Sequence, residues 1–156
     1  MSSSSEKEYR LDELMPMIRA KLAAGESVVI GPKGTSMLPL IRQGTDFVEL
    51  SPLPEKLKKY DLPLYQRPSG QYVLHRVVRA GETYTCIGDN QLVLEKNVPH
   101  DWMIALTTAV YRGEKRVPVT AFSYKLYSRL WHWLRPARHL YRWGKSFIRR
   151  KLLHKA

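Results

Sequence analysis

Hydrophobic and polar positions fall into a regular pattern only after a polar start. Residues 1–10 include four consecutive serines and several charged side chains, and we predict that they form a disordered tail. From residue 11 onwards, apolar residues recur every three or four positions until Gly25, a residue that commonly ends helices. This spacing predicts a helix over 11–24. Its apolar positions are Leu11, Leu14, Met15, Ile18 and Leu22.

Short runs rich in β-branched and aromatic residues follow, and clusters of Gly, Pro, Ser and Asp separate them. Strands at such short intervals favour coiled, mostly antiparallel sheets over a parallel α/β arrangement. We therefore predict a mainly β fold behind the N-terminal helix. The predicted strands are 28–30, 47–50, 62–66, 72–78, 84–87, 102–111 and 116–119.

Helical spacing returns near residue 120. Pro136 then interrupts the helical spacing, and it stands where it could be the first residue of a second helix. We predict two basic amphipathic helices joined by a kink. The predicted organisation is a tail at 1–10, a folded domain at 11–119 and a helical tail at 120–156. The apolar face of the first tail helix is Phe122, Leu126, Leu130, Trp133 and Leu134, and that of the second is Leu140, Trp143 and Phe147.

Charge divides the chain at the same place. The formal net charge is +12, yet residues 1–114 hold 14 basic residues and all 14 acidic ones. The remaining 12 basic residues lie in 115–156, where there is no acidic residue. This asymmetry predicts a neutral working domain with a basic appendage that meets an anionic partner.

Composition narrows the class of protein. Apolar residues make up 44% of the chain, which is enough for the core of one domain. Cys86 is the single cysteine, which excludes an internal disulfide and a cysteine-based zinc site, and we expect neither a metal nor a cofactor. A membrane-spanning helix needs about 20 apolar residues in a row, and we find no such run and no signal peptide. We expect a cytoplasmic protein that attaches peripherally to a membrane.

Three polar residues at turns and in a strand are candidates for chemistry. Ser36 follows a strand and a Gly-rich stretch, where a tight turn can expose its hydroxyl and direct backbone N–H groups at an oxyanion. His75 lies in an apolar strand and can act as a general base, and Asp89 at a strand end can orient it. Together they are the parts of a nucleophilic serine hydrolase. Taken singly, each also fits a structural role in a turn, a cap or a core hydrogen bond.

The order of these stretches and the residues in them resemble the superfamily of type I signal peptidases and LexA-type self-cleaving repressors. The resemblance covers about 27–115. The nucleophile box Gly-x-Ser-Met-x-Pro is matched by Gly34, Ser36, Met37 and Pro39. Leu74-His75-Arg76-Val77 stands where the family has its general base, with His as in the endoplasmic-reticulum and sporulation-type signal peptidases. Gly88-Asp89-Asn90 matches a third box, and 43–48 and 60–65 resemble two further strands of the family.

The resemblance implies a fold of coiled antiparallel sheets and a role for each residue. Ser36 is expected to attack a peptide carbonyl, His75 to take its proton, and Asp89 to orient His75 or brace the site. The Ser36 N–H is one expected oxyanion donor, and Thr35 is a candidate for the second because Gly34 stands where signal peptidases often have a hydroxyl. Met37 and Pro39 are expected to shape the wall. His-type members often have another acid after the third box, and Glu95 is the nearest one here.

These roles predict a serine endopeptidase that cleaves a peptide or an exported precursor. The alternative is a non-catalytic member of the fold that binds a membrane or nucleic acid through its basic tail. Aromatic rings with Arg and Lys suit the surface of an anionic membrane, although they also suit nucleic acid, and the helix could instead pack on the domain through its apolar face. The candidate membrane residues are Trp131, Trp133, Arg138, Arg142, Trp143 and Arg149.

Overall fold

Two antiparallel sheets and a helix at either end make up the fold, and the mainly β prediction is confirmed. A computed structural model describes residues 11–138, 140 and 141. The predicted tail at 1–10 and most of the second tail helix lie outside these residues. The elements are α1 (Leu11–Ala23), β1 (Val28–Ile30), β2 (Asp46–Pro52), β3 (Pro63–Gln66), β4 (Tyr72–Leu74), β5 (Arg76–Arg79), β6 (Tyr84–Ile87), β7 (Glu95–Val98), β8 (Met103–Arg112), β9 (Lys115–Pro118) and α2 (Phe122–Trp133).

Helix α1 ends as its sequence predicts. Gly25 has a φ of +81°, a left-handed conformation that suits glycine because it has no Cβ. The Gly25 N–H donates to the Leu22 carbonyl and the Glu26 N–H to the Lys21 carbonyl, which is the Schellman pattern. Met15, Ile18 and Leu22 are buried, so the predicted apolar face is the face that packs.

The larger sheet is built around β8. Its order is β1-β2-β8-β3-β4, and β9 pairs with the C-terminal part of β8. Strand β2 alternates in burial, with Val48 and Leu50 inside and Phe47 exposed, as expected for a strand with one face on the core. Met37, Leu40 and Ile41 join the same core cluster, so the loop after β1 is anchored in the domain interior.

The smaller sheet has the order β5-β6-β7, and the chain enters it from β4 through one residue, His75. The predicted strand 72–78 is therefore two strands in different sheets. Strand β7 was not predicted because Glu-Lys-Asn-Val is polar and carries little strand pattern. Pairing of Tyr84 with Val98 and of Cys86 with Glu95 defines it instead.

Helix α2 packs against the domain with the side opposite to its predicted apolar face. Tyr124 and Ser128 are buried, and Tyr124 belongs to the main core cluster. The packed unit thus continues past the predicted boundary at 119. The predicted apolar face points away from the domain, and its residues Phe122, Leu126, Leu130, Trp133 and Leu134 are exposed.

The buried side of α2 faces a guanidinium that needs polar partners. Arg76 makes a bidentate ion pair with Asp89, with both N···O distances at 2.8 Å, and both side chains are almost completely buried. Its remaining nitrogen donates to the hydroxyls of Tyr124 and Ser128 at 3.2 and 3.0 Å. Because a buried charge requires both a counter-charge and hydrogen bonds, α2 turns its hydroxyl-bearing side inwards.

Within the described residues, no helix combines the length and the apolar character that crossing a bilayer requires.

Substitution of Asp89 tests how far the fold depends on this ion pair. Asp89→Asn keeps the shape of the side chain but leaves the buried Arg76 without its counter-charge, so we expect the free energy of unfolding to fall by about 3–5 kcal/mol. Urea denaturation of the full-length chain measures the loss. Glu26→Gln is the control because it breaks an exposed pair with Lys21 and should cost less than about 1 kcal/mol. Equal losses in the two variants would contradict the central role of the ion pair.

Candidate active site

Ser36 lies in a turn that follows β1. Gly34 precedes it with a φ of +97°, and its N–H donates to Gln43 Oε1 at 2.7 Å. The Leu38 N–H donates to the Thr35 carbonyl, which closes the turn around Ser36. Met37 is buried in the main core, so the residue after Ser36 anchors the turn while Ser36 itself stays half-buried at the surface of a cleft.

The segment Gly88-Asp89-Asn90 holds this turn from the other side. The Asn90 N–H donates to the Ser36 carbonyl at 2.8 Å, and Asn90 Nδ2 donates to the Thr35 carbonyl at 3.1 Å. A Cβ on Gly88 would lie 2.7 Å from the Ser36 carbonyl oxygen, so this close approach requires glycine. Each residue of the third box therefore has a contact that its type explains.

His75 is 4% exposed and lies at the passage between the two sheets. Its Nδ1 is 3.3 Å from the hydroxyl of Tyr65 on β3. That hydroxyl donates to Glu95 Oε2 at 2.6 Å, and Glu95 accepts two further bonds from Arg67 at 2.8 and 2.6 Å. A chain of contacts thus runs from Arg67 through Glu95 and Tyr65 to the imidazole.

This chain of contacts fixes the tautomer of the ring. A tyrosine hydroxyl has one proton, and Tyr65 gives it to Glu95, so towards His75 it can only accept. Nδ1 must then carry the proton, and the lone pair of the neutral ring is on Nε2. Tyr65 remains protonated because burial, with the bond to Glu95, raises its pKa. The arrangement leaves Nε2 as the basic atom.

The surroundings also keep His75 neutral. Burial is the main cause that lowers its pKa from 6.5 to about 4, and the nearby Arg67 adds to the effect. Glu95 and Asp89 act in the opposite direction but more weakly. The hydrogen bond from Arg67 lowers the pKa of Glu95, which therefore stays a carboxylate.

Because His75 binds its proton less tightly in the folded chain than in the unfolded one, its neutral form stabilises the fold fully above about pH 6.5. That contribution is lost as the pH falls towards 4.

Ser36 and His75 line the same cleft, which has a volume of about 380 Å³. Gly34, Thr35 and Met37 line it as well, whereas Pro39 is exposed beyond it, after a cis Leu38–Pro39 peptide bond. Among the described residues, no direct hydrogen bond joins the Ser36 hydroxyl to His75. A hydroxyl and a neutral imidazole thus line one cleft, and these are the two groups that base-assisted attack on a bound carbonyl uses.

Asp89 is placed where it braces the site. Both of its carboxylate oxygens accept from Arg76, and Oδ2 also accepts from Tyr127 at 3.1 Å. Of the two roles expected for it, the hydrogen bonds support bracing, while the contact to the imidazole comes from Tyr65 and Glu95. Sequence reasoning noted Glu95 only as the nearest acid and missed Tyr65, because neither spacing nor pattern shows which strands meet across two sheets.

The candidate membrane residues are found in different environments. Trp131 donates its indole N–H to the Asp89 carbonyl at 2.7 Å, and the Arg138 guanidinium lies 4.0 Å from the Trp131 ring centre. The Arg138 guanidinium also donates to the Asp89 carbonyl at 2.6 Å, so both residues contact the Gly88-Asp89-Asn90 segment, a placement that the periodicity did not indicate. Trp133 is 81% exposed. The other three, Arg142, Trp143 and Arg149, lie outside the described residues.

Comparison of the chain with protein-family models, with curated proteins and with solved structures found no match in any of the three. The functional argument therefore depends on the residues and contacts of the cleft.

The unusual state of His75 can be measured directly. We expect the imidazole proton shifts to titrate with a pKa near 4 when followed by NMR as the pH is lowered. Arg67→Gln should raise this pKa because it removes a nearby positive charge and leaves Glu95 without its partner. Glu95→Gln should lower it because it removes the carboxylate that favours the imidazolium. Shifts in the same direction in both variants would contradict the electrostatic account.

Proposed function

We propose that the protein is a serine endopeptidase of signal-peptidase type, which cleaves a peptide or an exported precursor, and that its two sheets are the catalytic core of that superfamily. The observation that carries the proposal is the shared cleft of Ser36 and His75, in which Tyr65 directs the lone pair of a neutral imidazole to Nε2. The resemblance of the three boxes supports the same assignment.

In the proposed reaction, the Ser36 hydroxyl oxygen forms a bond to the carbonyl carbon of the scissile peptide. Its proton passes to Nε2 of His75, and the carbonyl oxygen takes the negative charge. We assign the Ser36 N–H as one donor to this oxyanion, and Thr35 remains the candidate for a second donor. When the C–N bond breaks, His75 gives the proton to the leaving amine. A water molecule then hydrolyses the acyl-enzyme by the same route.

The contacts behind His75 suit the changes in charge during this cycle. Protonation of Nε2 makes the ring an imidazolium whose Nδ1 lies 3.8 Å from Glu95 Oε2. The carboxylate stabilises that transient charge through space and through Tyr65. Arg67 holds Glu95 in place, and burial together with the charge of Arg67 keeps the pKa of His75 low. The acid limit of activity should therefore lie near pH 4, below the value of about 6.5 expected for an unperturbed histidine.

Replacement of Ser36 tests the proposed nucleophile. Ser36→Ala removes the attacking oxygen, and we expect the cleavage rate to fall by about 10³-fold or more. Peptides from a cellular proteome are incubated with the purified full-length chain, and new termini are identified by mass spectrometry. Ser69→Ala is the matched control because it removes an exposed serine hydroxyl from the turn between β3 and β4, which does not line the cleft.

The control should cleave within about twofold of the wild-type rate, because Ser69 does not line the cleft. If wild type and Ser36→Ala gave the same cleavage products, the assignment of this chain as a serine endopeptidase with Ser36 as nucleophile would be refuted. Such a result would favour the alternative, a non-catalytic member of the fold.

Removal of the Tyr65 hydroxyl tests the orientation of the base. Tyr65→Phe leaves Nδ1–H without its acceptor, so the ring can adopt the unproductive tautomer, and kcat should fall by roughly tenfold or more. Stability should fall by about 1–3 kcal/mol, because the buried Nδ1–H loses its hydrogen-bond partner. Tyr84→Phe is the control because the Tyr84 hydroxyl bonds another histidine, His100, at 3.2 Å outside the cleft. Equal losses of kcat in the two variants would show that Tyr65 has no specific role.

A further inference from the structure

The outer face of α2 is an exposed apolar surface. We define it as Phe122, Leu126, Leu130, Trp133 and Leu134, which follow one another at helical spacing. All five are exposed, with Phe122 at 79% and Trp133 at 81%. Leu140 and Tyr141 extend the exposed apolar positions further along the chain. A continuous surface of this kind commonly marks an interaction site rather than chance exposure.

The fold itself does not need this face. The opposite side of α2 already supplies Tyr124 and Ser128 to Arg76, and Tyr127 and Trp131 to Asp89. An ordinary surface helix places its apolar side on the core and its polar side in water. Helix α2 does the reverse, and its apolar residues stay exposed in the described part of the chain.

Positive charge borders the outer face. Lys125 and Arg129 follow Phe122 and Leu126 by three residues, so they are their neighbours on the helix surface. With Lys59 they line a cavity of about 160 Å³ beside α2, and Asp61 is its acidic lining residue. The Thr107 hydroxyl at this cavity is buried and has no hydrogen-bond partner among the described residues. Three cationic side chains thus lie at this cavity beside the outer face.

We propose that the outer face of α2 docks on a lipid bilayer that contains anionic lipids. The apolar side chains enter the headgroup boundary, Trp133 lies at the interface, and Lys59, Lys125 and Arg129 contact headgroup phosphates. A second copy of the chain fits this face poorly, because residues 115–156 contain 12 basic and no acidic residues and two such surfaces repel each other. The inference does not depend on the chemistry of Ser36.

Vesicle sedimentation tests the docking face with the full-length chain. Wild type should bind vesicles of phosphatidylcholine with phosphatidylglycerol at least tenfold more tightly than vesicles of phosphatidylcholine alone. Leu126→Glu/Leu130→Glu should bind the mixed vesicles at least tenfold more weakly than wild type. The matched control is Met17→Glu/Val93→Glu, which adds the same charge at exposed apolar positions elsewhere and should bind within twofold of wild type. Thermal unfolding verifies that both variants fold.

A second pair of variants tests the charged border. Lys125→Gln/Arg129→Gln should weaken binding to the mixed vesicles by about tenfold and make it less sensitive to salt. Arg79→Gln/Lys96→Gln removes one exposed Arg and one exposed Lys elsewhere and should have little effect. Ser36→Ala should bind vesicles as wild type does, so a failure of docking and a failure of catalysis are separately visible.

Two results would overturn the proposal. One is binding of the Leu126→Glu/Leu130→Glu variant to the mixed vesicles with the affinity of wild type. The other is a dimer, seen by analytical ultracentrifugation and lost in that variant, with no vesicle binding by wild type.

Discussion

The buried ion pair between Arg76 and Asp89 is the contact at which three separate stretches of the chain meet. Arg76 begins β5, Asp89 lies in the loop that holds the Ser36 turn, and α2 supplies the hydroxyls that complete the shell of the guanidinium. Such a pair is costly to bury and still more costly to break, so it tolerates little displacement of any of the three. The position of Ser36 relative to the second sheet follows from it.

A second ion pair, Arg67–Glu95, stands on the other side of the chain segment that contains His75. The two ion pairs affect different parts of the cleft. Arg76–Asp89 fixes the backbone that carries the hydroxyl. Arg67–Glu95 sets the proton position of the imidazole through Tyr65, whereas burial is the main cause of its low pKa and Arg67 adds to it. Because the charges within each pair neutralise each other, the cleft combines fixed dipoles with an uncharged imidazole.

Sequence patterns predict elements better than they predict contacts. Periodicity located α1, β1 and β6 closely, because local spacing and turn residues determine them. It could not divide the 72–78 run at His75, since apolar character continues through the change of sheet. It grouped the apolar residues of α2 on one face but did not show that this face points away from the domain. The opposite face packs inwards because Arg76, which is distant in the sequence, needs polar partners. Ser36 and His75 were found by their motifs, whereas Tyr65 becomes visible only when β3 and β7 are brought together.

The direct succession of His75 and Arg76 has a consequence for how the chain can vary. The two side chains serve different surroundings, the cleft on one side and the α2 interface on the other. Side chains of neighbouring residues in a strand point in opposite directions, so the two residues can reach these different surroundings because they are adjacent in the sequence. A substitution at either position removes only the contacts of that side chain. Insertion of a single residue between Leu74 and His75 would instead reverse both directions relative to β4, so an odd change in length at this passage would direct the imidazole away from the cleft.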